Sequence, residues 1–155
     1  MAPAGPSDSQ RVAPDSRAAS TSAAAVAILV VDDDPTVLEM TSRLLRRAGA
    51  DVRSFPGGRA AVRAIADGLA RPTLLLTDID MPEMSGIELA ARVAALRPGV
   101  RIVMMTGDEA SASAARDHPD LVASVLLKPF TTAELLAATG LEASGAERAP
   151  SKAPR

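Results

Sequence analysis

The sequence predicts an α/β domain built on a parallel sheet with helices on both faces. Five short apolar runs alternate with segments that carry helical spacing or helix-capping signals, the pattern of strand–helix–strand units. The runs are bounded by turn residues and read as strands buried on both faces. Polar groups then follow four of these runs at once: Asp32-Asp33, Asp78, Thr106 and Lys128. The chain has 155 residues, 47% of them apolar, enough for one domain with a full core.

Taken in order, residues 1–24 are rich in Pro, Ser, Ala and Asp, and are expected to be a disordered tail. The folded domain is expected over residues 25–140. Its first strand runs from Ala25 to Val31. Asp34-Pro35 then reads as an N-cap with a first-turn proline, opening a helix whose residues Val37, Leu38, Thr41, Leu44, Leu45 and Ala48 share a face; Gly49 ends it. Asp51 to Phe55 is the second strand. In the helix after it, Val62, Ile65, Ala66 and Leu69 are expected to face the core, with closure between Gly68 and Pro72.

The run Leu74-Leu75-Leu76-Thr77-Asp78 is the third strand, stopped at a carboxylate. Ser85-Gly86-Ile87-Glu88 carries the Ser-x-x-Glu capping-box pattern, opening a helix to Leu96 whose Ala90, Ala91 and Ala94 allow close approach to the sheet. Val100 to Met105 is the fourth strand. The Ala/Ser-rich helix from Glu109 is the weakest element, since it carries no large apolar residue before Leu121. Ala123 to Leu127 is the fifth strand, and Thr131-Thr132-Ala133-Glu134 is a second capping box, opening a helix that stops near Gly140. Residues 141–155 are expected to be a second disordered tail.

Composition narrows the function. A net charge of −2, with no basic cluster interleaved with aromatics, argues against direct nucleic-acid binding. The absence of Cys removes disulfide and thiolate-metal chemistry and fits a reducing compartment. The longest apolar stretch, Ala23 to Val31, is too short to span a bilayer, runs into three aspartates and lacks the basic flank of a signal peptide. A cytoplasmic protein without membrane insertion is the expectation.

In a parallel sheet the polar residues past the carboxyl ends of the strands share one edge, where open α/β sheets place their sites. If the carboxylates of Asp32, Asp33 and Asp78 converge to about 5 Å, each pair repels by about 3 kcal/mol at an effective dielectric near 20. Such a cluster calls for a cation. Oxygen ligands without His or Cys select Mg²⁺ or its relatives, which keep waters and leave room for a phosphoryl group. Lys128 adds a positive charge and Thr106 a hydroxyl donor, and Asp78 is free to act as an in-line nucleophile.

The segments Ile28-Leu29-Val30-Val31-Asp32-Asp33-Asp34, Leu75-Leu76-Thr77-Asp78-Ile79-Asp80-Met81-Pro82-Glu83-Met84-Ser85-Gly86, Met105-Thr106-Gly107 and Leu126-Leu127-Lys128-Pro129-Phe130 resemble the receiver domain of two-component response regulators. The resemblance implies a flavodoxin-like, doubly wound five-stranded parallel sheet of order 2-1-3-4-5 with five helices. It implies that Asp78 accepts a phosphoryl group from a histidine kinase or histidine phosphotransfer protein. It further implies that Asp32, Asp33, Asp78 and the backbone carbonyl of Asp80 hold Mg²⁺, that Thr106 and Lys128 bind phosphoryl oxygens, and that Lys128-Pro129 is a cis peptide. The run Gly86 to Pro98 is similar to receivers fused to hybrid histidine kinases, yet a receiver without a kinase or output domain is the expectation. The expectation is a single-domain phosphoacceptor, not an enzyme, and a monomer or weak homodimer.

The chain departs from the family in two places. The usual aromatic three residues before the lysine is Val125, and the usual Gly-Ala before it is Leu121-Val122. These bring the common switch and dimer face into question and suggest a relay, a phosphoryl sink or signalling through another face. Asp80 and Asp108 flank the site, either as solvated loop acids or as groups that tune hydrolysis of the phosphoaspartate. His118, before a proline in a polar loop, reads as a surface residue. Two rival functions are a phosphorylation-independent interaction module and a phosphatase resembling the haloacid-dehalogenase family. The second has the wrong chain order, because its acidic metal-binding pair follows the nucleophile, whereas Asp32-Asp33 precede Asp78.

Overall fold

A computed structural model describes residues 25–142. Five strands, β1 (Ala27–Val31), β2 (Asp51–Phe55), β3 (Leu74–Asp78), β4 (Arg101–Thr106) and β5 (Ser124–Leu127), alternate with helices α1 (Pro35–Arg47), α2 (Gly58–Ala66), α3 (Gly86–Leu96), α4 (Glu109–Arg116) and α5 (Thr132–Thr139). The strands form one sheet in the order β2-β1-β3-β4-β5, every neighbouring pair parallel. This is the expected doubly wound topology. The expected tails, 1–24 and 141–155, lie outside the described residues apart from 141 and 142. Among the described residues no helix is long and apolar enough to cross a membrane.

Alternation along the strands splits the core in two. Leu29, Leu75, Ile102 and Met104 pack on one face with Ala61, Ile65, Leu89, Val93 and Ala115 from α2, α3 and α4. Ile28, Val30, Leu76, Val103 and Met105 pack on the other with Leu45 of α1 and Leu135 and Leu136 of α5. β3 is buried along its whole length, as the central strand of a parallel sheet should be. The register sets Val31 beside Thr77, Asp78 beside Met105 and Thr106 beside Leu127, so the carboxyl ends of β1, β3, β4 and β5 finish level with one another.

The helix ends follow their capping residues. The Asp34 carboxylate accepts from the N–H groups of Thr36 (2.8 Å) and Val37 (3.3 Å). Thr131 and Glu134 form a complete capping box, and Gly140, at φ +72°, closes α5 in the left-handed conformation that glycine adopts without a Cβ penalty. Only half of the box expected at Ser85 forms: its hydroxyl accepts from the Glu88 N–H, while the Glu88 carboxylate pairs with Arg92 one turn on.

Two expected helix faces need correction. In α2 the buried residues are Gly58, Ala61, Ala64 and Ile65, with Val62 half-buried; Ala66 is exposed and Leu69 is 63% exposed. The helix ends at Ala66, so Leu69 falls in the following turn and leaves the helical register. In α3, Gly86, Leu89, Ala90 and Val93 make the sheet-facing stripe and Ala91 points away, one position outside the three-and-four spacing.

The face of α1 carries a liability. Thr41 and Ser42 are buried, and neither hydroxyl has a hydrogen-bond partner among the described residues. A buried unpaired hydroxyl costs about 1–3 kcal/mol, whereas an apolar group of the same shape does not incur that penalty. Thr41→Val is therefore expected to raise unfolding stability by about 1 kcal/mol in urea titration. A loss of stability would show that the hydroxyl is satisfied.

Candidate functional site

The level strand ends deliver four side chains to one point. Asp32, just past β1, is 1% exposed; its Oδ1 accepts the Asp34 N–H at 2.9 Å and its Oδ2 accepts from Lys128 Nζ at 2.9 Å. Asp78, the last residue of β3, is 6% exposed and takes a second bond from the same ammonium, Lys128 Nζ to Oδ1 at 3.0 Å. Lys128 is held in place by its own backbone N–H, which donates to the Thr106 carbonyl at 2.8 Å, and by the cis Lys128–Pro129 bond that turns the chain after β5. Asp33 completes the group from the solvent side.

Carboxylate oxygens of Asp32, Asp33 and Asp78 lie within 4.8 Å of one another, close to the convergence anticipated from strand ends alone. Among the described residues Lys128 is the only basic side chain ion-paired with them. Three carboxylates face one ammonium, a group rich in acidic oxygens that suits a divalent cation, and the all-oxygen donor set suits a hard one. The electrostatics carry the same signature. Burial pushes the Asp78 carboxyl above its usual range; Lys128 pulls it down, but repulsion from Asp32 and Asp33 adds to the rise. Burial alone would depress Lys128, but its hydrogen bonds and attraction to Asp32 and Asp78 outweigh that and raise it.

Thr106, fully buried, is placed differently from its expected partner. Its hydroxyl donates to Asp80 Oδ2 at 2.7 Å and accepts from the Asp108 N–H at 3.0 Å. The other Asp80 oxygen accepts from the Ser111 hydroxyl at 2.8 Å, and the Asp108 carboxylate caps α4 through the Ser111 N–H, also at 2.8 Å. Neither acid is simply a solvated loop group. Ser111 is the residue that sequence reasoning missed, because a serine inside an Ala/Ser-rich helix carries no signal of its own.

The loop between β3 and α3 is held against the strand by Gly86, whose N–H donates to the Ile79 carbonyl at 2.8 Å. A Cβ there would collide with the Asp78 carbonyl oxygen and the Ile79 Cα. Elsewhere, Val125 and Phe130 are half-buried, each against one of the two halves of the core, and His118 is exposed. Beside Lys128, the side chains of Val37, Met40, Pro129 and Phe130 line an apolar hollow.

Known proteins resemble this chain over most of its described length. A family model described as the response regulator receiver domain matches residues 28–140. The response regulator receiver protein CpdR of Brucella abortus is 37% identical over 110 residues, covering 70% of this chain and 89% of CpdR. The DNA-binding transcriptional regulator NtrC of Azospirillum brasilense is 32% identical over 112 residues, 72% of this chain but 23% of NtrC, so the chain spans under a quarter of that relative. Among solved structures, the chemotaxis response regulator CheY4 of Vibrio cholerae superposes with a TM-score of 0.66 at 26% identity, over 75% of this chain and 97% of that one.

Proposed function

The chain belongs to the response regulator receiver domain family, and we propose that it takes a phosphoryl group from a histidine kinase or histidine phosphotransfer protein onto Asp78, with Mg²⁺ bound. The observation that carries this reading is the buried Asp78 carboxylate at the end of β3, within 4.8 Å of two further carboxylates and bonded to Lys128. An Asp78 oxygen attacks phosphorus in line; the bond from phosphorus to the donor's imidazole nitrogen breaks, and that nitrogen keeps the electron pair.

Asp32, Asp33, Asp78 and the Asp80 carbonyl would hold the ion, which when bound neutralises charge on the phosphoryl oxygens. Lys128 shifts its hydrogen bond from the Asp78 carboxylate to a phosphoryl oxygen, and Thr106 supplies a second donor. The product is a modified protein, so the chain acts as a phosphoacceptor and not as a turnover enzyme. The apolar hollow beside Lys128, open at Met40, offers a docking place for the donor's helix. We further read the protein as a cytoplasmic monomer or weak homodimer that relays or drains phosphoryl groups, since Val125 lacks the ring on which an aromatic switch depends.

Chemical mapping tests the acceptor. Borohydride reduces an aspartyl phosphate to homoserine, so peptides of protein treated with acetyl phosphate and Mg²⁺ should carry homoserine at position 78. Reduction at another aspartate, or rapid turnover of p-nitrophenyl phosphate without a stable adduct, would contradict the assignment.

A further inference from the structure

We propose that Asp80 and Ser111 are positioning residues for Thr106, forming a latch that ties α4 to the site until Asp78 is phosphorylated. The inference rests on the acceptor reading above. Thr106 has one hydroxyl proton; its near acceptor is Asp80 Oδ2 at 2.7 Å, with the Asp108 carbonyl farther off at 3.4 Å. To donate to a phosphoryl oxygen on Asp78 the hydroxyl must leave Asp80, so the carboxylate and the phosphoryl group compete for one proton. Asp80 sits on an exposed loop, and what holds its carboxylate in place from the far side is Ser111 Oγ at 2.8 Å.

The consequence falls on α4. That helix has eight residues and buries only Ala112 and Ala115, so packing holds it weakly. Its start is tied by hydroxyl–carboxylate bonds, from Thr106 at the end of β4 through Asp80 to Ser111, and by the Asp108 N–H bonded to the Thr106 hydroxyl. When Thr106 turns to the phosphoryl group this chain of bonds is cut at Asp80 Oδ2, and α4 loses its registration to β4. Phosphorylation is thereby reported at α4 without any ring at position 125.

The test is titration of the full chain with beryllofluoride, a phosphoryl mimic, in the presence of Mg²⁺, followed by backbone amide NMR. Ser111→Ala retains the Asp108 cap and a strong helix former, so the fold is kept. Freed from Ser111, Asp80 holds Thr106 less well, and beryllofluoride is expected to bind roughly two- to tenfold tighter, the worth of about one hydrogen bond. Ser111→Thr, which keeps the hydroxyl, is expected to return the wild-type affinity, a rescue that a purely structural role for the position would not give. In the wild type the amides of Ser111 and Ala112 are expected to shift on binding. Equal affinity in wild type and Ser111→Ala would overturn the latch and leave the acceptor reading standing. Failure of the wild type to bind the mimic with Mg²⁺ present would overturn both.

Discussion

Replacing Lys128 with methionine is expected to remove about 3 kcal/mol of unfolding free energy at neutral pH, in line with breaking other buried ion pairs by deleting one partner. Methionine keeps the apolar stem but leaves Asp32 and Asp78, both buried, without their shared ammonium. The loss should depend on pH in a defined direction. The Asp78 carboxyl already titrates above its usual range because of burial, and without Lys128 it rises further. A raised folded value means that the native state binds the proton more tightly than the unfolded chain. The destabilisation is thus full above the folded value, shrinks as pH falls through it, and is gone below the ordinary carboxylate range. Chemical denaturation at several pH values, with and without Mg²⁺, checks this: the deficit should also shrink when Mg²⁺ is added. A deficit that grows on acidification would show that Lys128 does not hold the carboxylates.

Gly86→Ala is expected to be nearly as costly, at about 2–4 kcal/mol, with phosphoryl uptake falling with stability. The added carbon would meet the Asp78 carbonyl and the Ile79 Cα, which are backbone atoms and cannot swing aside. α3 would have to withdraw, lengthening the 2.8 Å bond from Gly86 N–H to the Ile79 carbonyl and moving the loop that carries Asp80. Thermal melting together with the rate of phosphoryl incorporation checks both consequences. A stable variant with unaltered uptake would mean that the α3 start is free to shift.

Much of this architecture was legible in the sequence because the signals are local. A leucine run halted by Asp78, Asp34 before Pro35, and Thr131 three residues ahead of Glu134 each act within a few residues of themselves, and each lies in the structure where the local rule places it. The site followed from one further step, that parallel strands end at one edge. What escaped depends on distances along the chain that no local pattern encodes. Ser111 meets Asp80 across 31 positions, and nothing in the helix around it distinguishes that hydroxyl from Ser113. Leu69 looked like a core residue because apolar spacing continued past Ala66, yet the helix stopped first. The Thr106 hydroxyl was expected to face the phosphoryl position, and only the structure shows that it is already committed to Asp80.

The central claim, that Asp78 is a metal-dependent phosphoacceptor, is tested most directly by the intact mass of the protein after incubation with acetyl phosphate and Mg²⁺. The expected result is the addition of one phosphoryl group in the wild type, with none in Asp78→Asn and none in the wild type when EDTA is present. Addition that persists in Asp78→Asn or in EDTA would contradict it.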